Sequence, residues 1–435
     1  MAVDDAALER SAIRRISLRI VPFLMICYFV AFIDRVNLGF AGHDLSQDLH
    51  LSPTVFGFGA GLFFLAYFVF EVPSNLLLER FGARRWIARI MVTWGLVAAA
   101  MALMKGEWSF YLLRVLLGIA EAGFFPGVIL YLTYWFPREH RAKVVGYFMV
   151  AIPVSTFLGS PVSGAILDGL AGVGGLRGWQ WLFIIEAVPA ILLGLAVLVW
   201  LPDRPRDAAW LPEAERDWLE RRLVQERQSF SRGPRQSVWQ IMADRRVLVL
   251  GLVYAGSTAT NYGLSFWQPQ LIKGFGMSNT MAGVFNAIPF LIGSVAMILW
   301  GRRSDTKSER VWHTAIALFV SAIGLAACLF VSGSLTLTLV ALSTALVGCY
   351  ALKGPFWALS TEWLAAGAAA AGIAQINALG NLAGFVGPFL LGWIKEMTGS
   401  YALGMLPMIA LAVLGGIAVL ANGKSAEAAV PHPAE

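Results

Sequence analysis

The sequence predicts an all-α membrane protein with twelve spanning helices in two six-helix bundles. Three observations predict it. Of 435 residues, 58% are hydrophobic and only 14% charged, too little charge to clothe a water-soluble body of this size. The apolar residues gather in twelve runs, each long enough to cross ~30 Å of hydrocarbon. A polar stretch divides the runs six and six, and the two sets echo each other at an offset of about 228 residues. FFPG around Pro126 matches KGPF around Pro355, and LGSP at Pro161 matches FVGP at Pro388.

In chain order, the first six runs lie at about 20–41, 55–78, 86–104, 109–136, 144–167 and 181–201, making an N-terminal bundle over 1–201. The first run has no small-residue cleavage site and reads as a retained helix. A linker at 202–246 carries ten basic residues. Within it, LPEAERDWLERRL at 211–223 reads as a capped amphipathic helix lying on the membrane. Runs at about 247–272, 281–299, 311–331, 335–363, 372–393 and 401–421 make a C-terminal bundle over 247–421, followed by a tail at 422–435. Of the 33 Lys and Arg residues, 26 fall on the side of the tails and linker, four on the other side, and three inside the runs. The positive-inside rule then places both termini in the cytoplasm of a cell whose plasma membrane, the inner one in a bacterium, the chain spans.

The net charge of +6 is spread over short loops, so it speaks of topology and not of nucleic acid. Cys27, Cys328 and Cys349 sit in apolar runs without paired spacing, which supports neither a disulfide framework nor a zinc site. No run places a His, Cys or Ser constellation for hydrolysis, so an enzyme is not expected. No cofactor is expected either.

What calls for explanation is charge at membrane depth, where each ionised side chain costs ~2.5 to 3.5 kcal/mol on insertion scales. In RVLLGIAEAGFFPG at 114–127, Arg114 and Glu121 are seven residues apart. That spacing puts them on nearly one helix face, ~10.5 Å apart along the axis, looking inward at a polar cavity. The glycines and Pro126 beside Glu121 suggest a helix built to bend. Asp34 and Arg35 interrupt the first run. Adjacent residues diverge by ~100°, so the two cannot share one partner. Arg35 is expected to face the cavity and clamp a substrate carboxylate with its planar fork. Asp34 is expected to turn sideways toward the fourth run and Arg114. The five histidines lie at loops, helix ends or the tail, so the proton carriers must be carboxylates, Asp34 and Glu121. Two placed carboxylates favour up to two protons per cycle.

FIDRVNLGFA at 32–41, RVLLGIAEAGFFPG on the fourth run, NLLLERFGARR at 75–85 and GPFWALSTEW at 354–363 together resemble the anion:cation symporter branch of the major facilitator superfamily. The resemblance spans nearly the whole chain. It implies the major facilitator fold and a proton-driven carboxylate importer working by alternating access, with tartrate, phthalate or a sugar acid as the type of substrate. It also implies roles in proton coupling and anion binding for Asp34, Arg35, Arg114 and Glu121. The loop signature of the superfamily is filled by Glu79, Arg80, Gly82, Arg84 and Arg85, with Asn75 where a glycine is usual. It reads as a cytoplasmic latch, or as a bare topology signal. Glu71, with Pro73 and Ser74, is read as part of that latch.

The remaining polar residues of the runs leave alternatives open. Tyr67 aligns with a family position near the substrate, and it either donates a phenolic hydrogen bond or packs. Lys353 either snorkels outward or lines the cavity. Asn261 falls opposite Asp34 in the repeat, while Asn377 and Asn381 lie four apart on one helix face. These amides either bind substrate or bridge helices. The expected partners are a small organic anion and membrane lipid, with the protein a monomer. An aromatic carboxylate, or an anion uniporter or receptor without proton coupling, is the alternative reading.

Overall fold

A computed structural model of the chain describes residues 2–230, 244–331, 333–364 and 369–427. Among these residues every regular element is helical. In chain order they are α1 (Ala2–Leu49), α2 (Pro53–Phe81), α3 (Ala83–Ala100), α4 (Glu107–Glu121), α5 (Phe124–Thr133), α6 (Arg138–Gly169), α7 (Gly178–Trp200) and α8 (Glu213–Phe230). Then come α9 (Arg245–Lys273), α10 (Asn279–Lys307), α11 (Val311–Ala327), α12 (Leu335–Ala351), α13 (Lys353–Trp363), α14 (Ala369–Thr398), α15 (Tyr401–Gly404) and α16 (Leu406–Glu427). Eleven spans are long and apolar enough to cross a membrane, and α11, with 17 residues, is a shorter apolar helix between two of them.

Three of the spans are interrupted, and two of the breaks occur at the echoed prolines. The fourth span divides after Glu121, where Gly123 adopts φ +84, a conformation that L side chains rarely hold. A Cβ there would also strike Ser74 of α2, so the turn has no room for another residue. Pro126 then falls in the first turn of α5, where its missing N–H leaves no acceptor unpaired. In the second set, the chain breaks between α12 and α13, and Pro355 occupies the same place in the first turn of α13.

Packing follows the two sets. α1 lies against α6 and α7, α2 against α4, and α3 against α7; in the second set α9 lies against α14 and α16, and α12 against α10 and α11. The most extensive crossings between the sets are α2 with α14, α6 with α10, and α1 with α9. At the last crossing the backbones nearly touch, since a Cβ on Gly39 would collide with the carbonyl oxygen of Ser265. In lipid such close approach is what holds helices together, because the surrounding chains are as apolar as leucine.

The polar contacts between the sets concentrate at the end remote from the termini. Asp44 at the end of α1 pairs with Lys273 and accepts from Asn279 Nδ2 at 3.0 Å. Asp168 at the end of α6 accepts from Thr280 N and Thr280 Oγ1, both at 2.7 Å, and Glu396 accepts from Ser52 Oγ at 2.7 Å and Thr54 N at 2.8 Å. This end is closed. Asp168→Ala removes an acceptor of charged hydrogen bonds worth ~1.5 to 3 kcal/mol each, and is expected to raise labelling of a cysteine placed at Gln270, which is buried against Gly42 of α1 just inside the seam. Unchanged labelling would show that the seam is held by packing alone.

The linker helix departs from the sequence reading. α8 was expected on the membrane surface, but Trp218, Leu219 and Leu223 are buried against the protein. Its charged residues pair with α1 and α6: Arg15 with Glu215 at 3.1 Å, Arg141 with Glu226 at 2.7 Å and Arg222 with Glu139 at 2.7 Å. Most of the apolar side of α8 is thus covered by its own chain, with Val224 left exposed.

Candidate functional site

Between the two sets lies a narrow cavity of ≈ 50 Å³. Its walls come from α1, α2, α5, α6, α9, α13 and α14, and about half of the lining residues are aromatic, with Tyr28, Phe32, Tyr254, Tyr262 and Trp357 among them. The polar groups that reach it are Arg35, Tyr67, Asn261, Lys353, Asn377 and Asn381. A few placed polar groups in an aromatic hollow are the usual form of a small-molecule site.

Arg35 is its centre. One guanidinium nitrogen pairs with Glu121 Oε1, and the other donates to the Tyr262 hydroxyl at 2.9 Å. The rings of Phe63 and Tyr67 lie 5.3 and 5.5 Å from its central carbon, within cation–π range. Arg35 is 7% exposed and Glu121 1%, so the acid seals the inner side of the cation and leaves the outer side to the cavity. Tyr262 belongs to the second set of helices, which makes Arg35 a meeting point of both.

Asp34, on the next ~100° of the helix, points away from the cavity as expected, but its partner differs. It was expected to face Arg114; instead its Oδ2 accepts from Trp94 Nε1 of α3 at 2.7 Å. The α3 indole occupies the place the sequence reading gave to the arginine. Arg114 departs further. It was expected to help bind substrate, yet it is fully buried and does not line the cavity. Its guanidinium donates to backbone carbonyls of α2, to Gly59 O at 3.4 Å and Ala60 O at 3.1 Å. Arg114 thus fastens α4 to α2 and so positions Glu121.

Tyr67 and Lys353 line the cavity, and Lys353 Nζ stands 4.9 Å from the Tyr254 ring centroid. The snorkelling alternative for the lysine is therefore not the arrangement found. Asn261 lines the wall and accepts from the Tyr350 hydroxyl at 2.8 Å, which fixes its orientation. Asn377 and Asn381 each donate to one oxygen of Glu71, both at 3.1 Å. Glu71 was read as a latch element near the helix end; it is instead turned toward α14, where the asparagines hold it.

The loop signature is only partly a latch. Gly82, at φ +89, makes the corner between α2 and α3, and Arg84 holds Asp203 beyond α7 through its backbone N–H at 2.8 Å and its Nε at 3.8 Å. Glu79, Arg80 and Arg85 are exposed. Among the described residues the corner is fastened to its own set of helices.

One buried acid escaped the sequence reading. Glu186 on α7 is 6% exposed and accepts from Ser163 Oγ at 2.6 Å. The signal was present, since it is the only charged residue in the apolar run at 181–201.

The chain is similar to proteins of known description along its whole length. The sequence profile described as Major Facilitator Superfamily matches residues 24–388. A provisionally named tartrate transporter of Agrobacterium vitis is 50% identical over 424 residues, covering 97% of this chain and 97% of that one. A quinolone resistance transporter of Acinetobacter baumannii is 42% identical over 401 residues, covering 91% of each. Among solved structures, a bacterial homologue of the human lysosomal transporter Spinster, inward-facing and occupied, superposes with a TM-score of 0.75 at 18% identity, covering 95% of this chain and 98% of that chain. At that identity the likeness concerns the fold.

Proposed function

The chain belongs to the Major Facilitator Superfamily, and from that premise we infer that it imports a small organic carboxylate together with protons. The substrate is a hydroxy-dicarboxylate such as tartrate, or a sugar acid, in keeping with the name of the Agrobacterium relative. One observation carries the reading: Arg35, at membrane depth, is shared between a protein carboxylate on one side and the cavity on the other.

A substrate carboxylate entering the cavity competes with Glu121 for the same guanidinium. If the substrate takes the arginine, Glu121 is left buried without a cation, a loss worth ~3 to 5 kcal/mol. Taking up a proton relieves that cost. Anion binding and proton binding are thereby linked, and a carrier that reorients readily only when empty and protonated, or loaded with both, moves the two together. Asp34, held by Trp94 behind the same helix, is the second proton carrier in this scheme. Two protons with a dianion move no net charge; a further proton would add ~2.3 kcal/mol per 100 mV.

The two sets of helices act as the rocking halves, 1–201 and 247–421, joined by the linker at 202–246 in the bacterial cytoplasm. In that orientation the closed seam at Asp44, Asp168 and Glu396 faces outward and the cavity faces in. The carrier works as a monomer, as each chain contains a whole cavity.

A second reading has its own support: the aromatic walls, Phe32, Tyr254 and Trp357 among them, suit an aromatic acid. The Acinetobacter relative, named for quinolone resistance, is consistent with an aromatic substrate. Proteoliposomes offered tartrate and phthalate in parallel decide between the acids. They are expected to fill with tartrate while the external medium turns alkaline. Filling without alkalinisation would indicate a uniporter, and binding without filling a receptor.

A further inference from the structure

Glu71 is a membrane-depth carboxylate that the scheme above does not use. It lies on α2, and both its oxygens are held by α14 of the other set, Oε1 by Asn377 Nδ2 and Oε2 by Asn381 Nδ2, each at 3.1 Å. The two asparagines stand four residues apart, one helical turn, so their amides present two donors side by side to the two oxygens of one carboxylate. Both also line the cavity that holds Arg35. A pair of neutral donors set to grip one carboxylate, in the cavity of a carboxylate carrier, is a binding subsite; here it grips a side chain of the protein itself.

We propose that Glu71 is a resident anion: in the substrate-free carrier it fills the Asn377–Asn381 fork, and one carboxylate of a dicarboxylic substrate displaces it. The proposal rests on the carboxylate reading and narrows it to acids with two carboxylates, one for Arg35 and one for the fork. A monocarboxylate gains little by displacing Glu71, because one carboxylate replaces another on the same donors. A dicarboxylate already held at Arg35 meets the fork at high effective concentration and wins it. The fork thus adds affinity only for two-headed acids, less the cost of displacing Glu71, while one-headed acids bind at Arg35 alone. Because Glu71 and the fork belong to different sets of helices, its displacement also releases a tie between them.

Glu71→Asp tests this directly. It keeps the charge but withdraws it by one C–C bond, ~1.5 Å, which carries the 3.1 Å contacts beyond hydrogen-bond reach. In proteoliposomes, the ratio of KM for glycolate to KM for tartrate is expected to rise about tenfold, ~1.4 kcal/mol, in both Glu71→Asp and Glu71→Gln. If Glu71 acted only through its electric field, Glu71→Asp would match the wild type and only Glu71→Gln would differ; that result overturns the proposal. Equal shifts for both acids overturn it as well, since they mark a change in the balance between conformations. Should Glu71→Asp melt early, Asn381→Ala takes its place and is expected to lower the same ratio about tenfold; no change in the ratio is the overturning result. Wild-type vesicles that take up neither acid would instead sink the carboxylate reading, and this proposal with it.

Discussion

Arg35→Lys is expected to lose most of the carboxylate affinity while the protein still folds. Lysine keeps a positive charge beside Glu121, but it is a point charge on a flexible stem and cannot present a planar fork. In the wild type the guanidinium serves two partners at once, Glu121 and the Tyr262 hydroxyl, and keeps a face toward the cavity. An ammonium in that place satisfies the acid and has less to give the substrate. Losing one charge-assisted hydrogen bond, ~1.5 to 3 kcal/mol, raises KM for tartrate by about tenfold to a hundredfold, read in counterflow so that proton coupling does not enter. Arg35→Ala goes further. It leaves Glu121 buried with no cation, at ~3 to 5 kcal/mol, so its melting temperature should fall along with binding. A normal tartrate KM in Arg35→Lys would take Arg35 out of the substrate path.

Glu121→Gln is expected to separate binding from energy coupling. Glutamine has the shape of the protonated acid and cannot ionise, so the variant is fixed in one protonation state. Arg35 then lacks its internal counter-ion and should hold an incoming anion at least as tightly as the wild type. Exchange of labelled for unlabelled tartrate continues, because it needs only reorientation of the loaded carrier. Accumulation driven by a pH gradient should fail. Each coupled proton across one pH unit is worth ~1.36 kcal/mol, about tenfold in accumulation, and that factor should drop toward one for the proton Glu121 carries. Full accumulation in Glu121→Gln would move the coupling role to another acid, Asp34 or Glu186 being the buried candidates on the same side of the cavity.

These two residues also show how far the sequence could be read. That Arg35 and Glu121 must look inward was legible from the cost of charge in lipid, a constraint that holds for any packing. That they would pair with each other was not, because they come from α1 and α4 and nothing in local spacing relates them. The seven-residue separation of Arg114 and Glu121 correctly put both in the interior. It suggested a shared cavity, whereas the two diverge: Glu121 lies at the last turn before the break at Gly123, while Arg114, two turns earlier, meets the α2 carbonyls. The partners of Glu71 were not legible for a related reason. Its place near a helix end suggested a loop role, and only the crossing of α2 with α14 brings Asn377 and Asn381 to it.

By itself the sequence determined the class of the protein, its spans, their division into two sets and the helix break beside Pro126. Hydropathy, length and proline act along the chain and need no partner to be felt, and the bilayer leaves few folds for such a pattern. It determined also which residues had to avoid lipid. Tertiary structure alone decided who meets whom: Arg35 with Glu121 and Tyr262, Asp34 with Trp94, Arg114 with backbone, Glu71 with an amide fork, and α8 with the protein instead of the membrane. A buried polar group must find a partner, but several candidates satisfy it equally in chemistry. The choice among them is made by which helices pack and at what register, and that is settled by shape across the whole molecule.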